Sequence, residues 1–194
     1  HRFVDTEKDP YNINEGFWYA HILWMFTDDG RRNEPSYKRY SMDLQKDKIV
    51  MWQDKYYVPL AIFMSFGLPT LIGFFMGSAL GGLVFGGFLR LVIGHHVTFF
   101  INSLCHMWGK QTYTDQNTAK DSFALAVFTF GEGYHNFHHF FHNDYRNGVK
   151  WYNWDPTKWA INGAKWMGLA TKLHRVSKVE IEKARMAMVE KRLQ

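Results

Sequence analysis

The sequence predicts an all-α integral membrane protein, in which a transmembrane helical hairpin is joined to a helical cytosolic cap rich in histidine. Three observations carry that prediction. Tyr56 to Met76 is apolar and uncharged, and Leu80 to Ile101 is a second apolar segment in which Arg90 is the one Lys, Arg, Asp or Glu; each is about the length needed to cross roughly 30 Å of hydrocarbon. Only Gly77-Ser78-Ala79 separates them, so they form a tight hairpin. Beyond them, His135, His138 and His139 stand at positions i, i+3 and i+4, a spacing that brings all three onto one helix face.

Taken in order, residues 1–16 are polar, with Asp9-Pro10-Tyr11-Asn12 as a turn signal followed by Gly16. Phe17 to Phe26 is an aromatic run, too short to span a bilayer and suited to its surface. A charged loop from Asp28 to Pro35 leads into a polar, helix-like stretch ending near Lys55. Lys46, Lys48 and Lys55 flank one side of the apolar pair, Lys110 and Lys120 flank the other, and the turn carries none. By the positive-inside tendency both flanks face the cytosol. A buried hairpin of a soluble protein is the alternative at this point. Polar groups interrupt the end of the second segment: Gly94, His95, His96, Asn102 and His106. Such groups are costly in a membrane and mark a protein interior or a functional site. Asn102 and His106, four apart, share a face.

A polar loop, the apolar run Phe123–Phe130, the histidine box and an aromatic segment through Trp166 come next. Ser177 to Gln194 closes the chain as a charged amphipathic helix with Ser177 as its cap. The chain is read as a single domain, 1–194, in three parts: 1–55 cytosolic or interfacial, 56–101 the transmembrane hairpin, 102–194 the cytosolic cap.

Composition narrows the function. Aromatic residues make up 18% of the chain, with 8 Trp and 17 Phe, which suits anchoring at a membrane interface. The net charge of +5 fits an anionic bilayer surface or an acidic partner. No Lys/Arg-rich motif or nucleic-acid-binding module is present, so nucleic acid is not expected as a partner. With Cys105 as its one cysteine, the chain holds no internal disulfide. Cys105 reads as a packed small residue.

Neutral imidazole is the commonest metal ligand, and three convergent rings make a transition-metal site. A surface histidine cluster is the alternative for such a box alone. His21, His142 and His174 read as interface or surface residues, and His95 and His96 as packing or as lining of a substrate tunnel.

At these residues the chain resembles the carboxy-terminal part of membrane-bound fatty acid desaturases of the delta-9, stearoyl-CoA type. The resemblance rests on Asp9-Pro10 with Asn12, Gly16-Phe17, His21-Ile22-Leu23-Trp24, Asp43-Leu44, Lys48 to Gln53, Tyr56-Tyr57 and Leu68-Pro69-Thr70. Its two most specific motifs are Asn102-Ser103-Leu104-Cys105-His106 and Gly131 to His139.

The resemblance implies three histidine boxes plus one further histidine holding two irons per complete site. It implies His135, His138, His139 and His106 as ligands, His1 as the last histidine of the second box, and Asn102 as a ligand through water. Asp5 and Glu132 are candidates for orienting the ligand rings, with caps or loop salt bridges as the other reading. Arg31 and Arg32 are candidates for meeting coenzyme A phosphates, or else solvated loop charge. The implied reaction places a cis double bond in a long saturated acyl chain, carried as acyl-CoA or acyl lipid. It uses O2 and an electron donor of the b5-type cytochrome or ferredoxin kind. The implied location is membrane lipid with the site on the cytosolic face, of the endoplasmic reticulum in a eukaryote or the cytoplasmic membrane in a bacterium. The first box and most of the second do not occur in these 194 residues, so the chain alone is expected to bind little iron and to be catalytically incomplete. The alternatives are a related di-iron hydroxylase and a non-catalytic membrane segment that binds acyl chains or a partner.

Overall fold

The computed structural model describes residues 3–27 and 41–194. Among the described residues there are helices and turns but no strand. The β-like pairings among these residues are isolated bridges, Lys110 with Asp121 and Asp121 with Tyr134. Two compact units form: one from His1–Thr27 with Val97–Gln194, the other from Asp28–His96.

In the second unit α1, Lys48–Lys55, starts where the Asp47 side chain accepts from the amides of Ile49 and Val50. The hairpin follows as α2, Tyr57–Phe75, and α3, Ala79–Met107, both long and apolar enough to cross a membrane. Only 6% of the apolar window of α2 and 11% of that of α3 are buried within the protein. A core helix of a soluble protein would be mostly covered, so the open faces suit lipid or other membrane helices rather than water.

Gly77 makes the turn at φ 93, and Ser78 caps α3 by accepting from the Gly81 amide at 3.0 Å. Close approach is what the glycines supply. A Cβ on Gly82 would lie 2.2 Å from the Pro69 carbonyl oxygen, and one on Gly73 would lie 2.6 Å from Gly82 Cα. With Gly86 one turn on, this is the small-residue seam by which membrane helices pack. Both helices carry a wide π-helical stretch, Phe63–Gly67 and Gly82–Leu89.

The sequence places the end of the second span at Ile101, and the helix that carries it, α3, reaches Met107. It turns at Ser103 and resumes at Leu104, and the side chains of Ser103 and His106 are taken up by neighbours within the first unit. Ser103 Oγ donates to the Phe99 carbonyl at 2.8 Å and meets His21 Nδ1 at 3.0 Å. This corrects the reading of His21 as an interface or surface residue. The ring is 2% exposed, stacked on Phe17 and packed against Phe99 and Phe100. It fastens the short helix α4, Phe17–His21, to the base of α3.

The rest of the first unit is a set of short helices held by loops. These are α5, Phe123–Phe128; α6, His135–Phe140; α7, Pro156–Trp166; and α8, Lys178–Leu193. Ser177 caps α8, as the sequence predicts, and forms a reciprocal capping box with Glu180. Cys105 is a buried free thiol.

Candidate metal centre

Two segments bring the site together, the end of α3 and the helix α6. Gly131 takes φ 107, a left-handed conformation natural to glycine, and a Cβ there would meet the Asp155 carboxyl at 2.9 Å. At Gly133 the chain passes so close to α5 that a Cβ would lie 2.1 Å from the Ala126 amide. These two glycines set the turn that launches α6. The helix is short, and its first-turn amides are received by a side chain distant in sequence, Asp121, whose Oδ1 accepts from Phe137 N at 3.1 Å. Burial pushes the Asp121 carboxyl up to about 6, against the lowering effect of its amide and Thr112 donors.

His135 and His139 lie one turn apart on α6, and their Nε2 atoms are 3.0 Å apart. His106 Nε2 sits 3.1 Å from His135 Nε2. His106, His135 and His139 form a group whose candidate ligand atoms all lie within 4.8 Å of one another. Imidazole nitrogens bind first-row metals at about 2.1 Å, so two of them at right angles around one ion are about 3.0 Å apart. The observed spacings match that arrangement. His106 and His135 are 6% and 5% exposed, and three imidazoles crowded together away from water need a partner for their lone pairs. The donor set fits a first-row transition metal.

Electrostatics keep the rings in the ligating form. Desolvation holds His139 down to about 3, helped by the neighbouring His106 and His138. Burial also drives His135 well below the usual histidine value, and lowers His138. Neutral imidazole is the form that binds metal.

His138 lies outside the trio. Its ring stacks on His135 at 5.9 Å between centroids and hydrogen-bonds the Asn147 side chain. Asn147 Nδ2 in turn donates to Glu132 Oε1 at 2.8 Å. Glu132 thus reaches a histidine of the box through Asn147, a residue that the sequence does not mark. Asp5 also acts through an intermediary: both its carboxylate oxygens are taken by Thr118, and Thr118 Oγ1 meets His106 Nδ1 at 2.7 Å. Asn102 is half-buried at the end of the segment Arg90–Asn102, one turn before His106. His95, His96, His142 and His174 are exposed and stand outside the trio. His1, Arg31 and Arg32 lie outside the described residues.

The residues inside the box have their own work. Asn136 is wholly buried. Its Oδ1 accepts from the Tyr113 and Thr114 amides, and its Nδ2 donates to the Thr114 and Ala119 carbonyls at 2.8 and 2.9 Å. It straps the loop 113–119 to the histidine helix.

Comparison with known proteins gives a consistent picture. The model of the family described as fatty acid desaturase matches residues 1–164. Acyl-CoA desaturase 1 of Saccharomyces cerevisiae is 41% identical over 100% of this chain and 38% of its own length. Delta-9 acyl-lipid desaturase 1 of Arabidopsis thaliana is 35% identical over 97% of this chain and 59% of its own. Stearoyl-CoA desaturase 5 of Homo sapiens is 35% identical over 95% and 58%. The chain therefore spans between two fifths and three fifths of the length of these relatives.

Proposed function

The chain belongs to the fatty acid desaturase family, and from that premise we propose that the whole protein introduces a cis double bond at the delta-9 position of a long saturated acyl chain. The acyl group is carried as a coenzyme A thioester or in a lipid; relatives named for each carrier support the pairing. The observation that carries the reading is the trio of neutral imidazoles, His106 and His135 buried and His139 half-buried, with nitrogens spaced for one metal ion.

Iron is the metal this donor set would hold, with the trio, His138 and His1 as its ligands and Asn102 acting through water, in a site that would take two irons when complete. Removing two hydrogens from an unactivated methylene pair is beyond acid–base side chains, and iron with dioxygen supplies that oxidising power. Overall, the saturated chain, O2, two electrons and two protons give the unsaturated chain and two waters. The electrons come from an external donor of the b5-type cytochrome or ferredoxin kind.

The residues of this chain bind and position. Burial keeps the imidazoles uncharged, Asp121 and Asn136 fix α6 and the loop beside it, and Asp5 and Glu132 act on the ligand rings through Thr118 and Asn147. Arg31 and Arg32 meet the phosphates of the coenzyme. The hairpin holds the site at the cytosolic face of the membrane in which the acyl chain dissolves.

The test is expression of the full-length gene in a host lacking its own desaturase. Restored monounsaturated fatty acid is the expected result. Product that is hydroxylated and never unsaturated would move the protein to the related hydroxylases.

A further inference from the structure

The contacts behind His106 form a relay whose proton directions follow from counting. A carboxylate only accepts, and a threonine hydroxyl has a single proton to give. Thr118 Oγ1 is 2.7 Å from Asp5 Oδ1, and the Thr118 amide is 2.6 Å from Asp5 Oδ2. Both are donations to the carboxylate, so the hydroxyl proton is spent on Asp5. The 2.7 Å contact between Thr118 Oγ1 and His106 Nδ1 is then left with one direction: Nδ1–H donates to the hydroxyl oxygen. His106 thus carries its proton on Nδ1, and the lone pair of Nε2 points at His135 Nε2, 3.1 Å away.

Both ends of the relay are anchored. Asp5 has φ 61, a left-handed conformation that an L-residue adopts at some cost, Asp more readily than most. Its amide donates to Asp9 Oδ2 at 2.9 Å, and its carbonyl accepts from Asn14 Nδ2 at 3.2 Å. With both carboxylate oxygens occupied as well, nothing in Asp5 is left to turn. Thr118 stands in the loop that Asn136 straps to α6 through the Thr114 and Ala119 carbonyls. A residue inside the histidine box therefore sets the height of the loop that orients the histidine from the other segment.

We infer that Thr118 is the positioning residue of His106: relaying the Asp5 carboxylate to Nδ1, it selects the tautomer whose Nε2 binds iron. This rests on the reading of His106 as a metal ligand. Groups behind a ligating histidine typically change metal affinity by about 10- to 100-fold when removed.

The full-length protein, labelled with 15N at histidine, is compared as wild type, Thr118→Val, Thr118→Ser and His106→Ala. In the metal-free state, nitrogen chemical shifts read the His106 tautomer directly, with Nδ1 protonated in the wild type and in Thr118→Ser. Thr118→Val, which keeps the shape and loses the hydroxyl, gives a mixture. With Fe(II) as the only added metal, iron retained against a competing chelator falls about 10- to 100-fold in Thr118→Val and stays near wild type in Thr118→Ser. Wild-type protein with the His106 proton on Nε2 overturns the inference without any mutant. His106→Ala that holds iron as wild type does removes the ligand reading and the inference with it. If His106→Ala loses iron while Thr118→Val keeps wild-type tautomer and retention, the ligand stands and Thr118 has no positioning role.

Discussion

Asn136 lies between two histidines, and its contacts decide whether those histidines meet His106. All four of its hydrogen bonds go to the backbone of the loop 113–119. Replacement by Leu keeps the volume and leaves two amides and two carbonyls to find water or remain unpaired. Each buried orphan costs about 1–3 kcal/mol, so we expect Asn136→Leu to lose about 3 kcal/mol or more of stability. Chemical denaturation in detergent would measure it, and iron retention should fall in parallel. Asp121, received beneath the same helix, gives a pH signature. Its carboxyl titrates near 6 in the fold against an ordinary 3.8, so between those values the folded state holds the extra proton. The stabilisation is therefore fully present below about pH 4 and disappears as pH rises through 6, a swing on the order of 2–3 kcal/mol. Carboxyl 13C shifts should show Asp121 titrating near 6, and Asp121→Asn should flatten stability across that range. The box spacing makes His135 and His139 legible in the sequence as one face. Asn136, Asn147 and Thr118 are not legible, since their partners lie 9 to 23 residues away or, for Asp5, 113 away.

At the level of elements, the hairpin was readable because length and lack of charge suffice to specify a membrane span. Its seam was not readable, because apolar spacing alone does not say which glycines touch. Gly82 faces the Pro69 carbonyl and Gly73 across that seam. Gly82→Ala should force the helices apart and cost about 1–3 kcal/mol, seen as a lower melting temperature in detergent. Gly163, inside α7, has nothing within 4 Å of where a Cβ would go, so Gly163→Ala should instead gain up to about 1 kcal/mol from helix propensity. The same contrast explains where the reading of α3 stopped short. Asn102 to His106 look like the end of a span by composition, yet His21, 82 residues away, pairs with Ser103 at the turn beyond which the helix resumes at Leu104. The cap of α8 is local, Ser177 with Glu180 three residues on, and for that reason Ser177 is legible as the cap. The opposite end of α8 is tied to the strapped loop, with Lys191 Nζ 2.5 Å from Asp115 and Arg192 bonded to the Gln111 carbonyl.

For the whole molecule, the decisive quantity is the apolar surface left uncovered around the turn of the hairpin. Phe75, Met76 and Leu80 are 78%, 82% and 71% exposed, a patch that in water would drive association and in a bilayer is matched to its solvent. Two spans joined by so short a turn return the chain to the side from which it entered. Lys48 and Lys110 should therefore face one compartment and Ser78 the other, with the lysine side cytosolic. Single cysteines can test this directly, because Cys105 is buried and shielded from a charged maleimide. In sealed, inside-out vesicles the reagent should label Lys48→Cys and Lys110→Cys together and reach Ser78→Cys only after the membrane is opened. Labelling of all three at equal rates in sealed vesicles would mean that the hairpin lies along the surface. The site carried by His106, His135 and His139 would then have to meet its acyl chain from the bilayer face, without a spanning anchor.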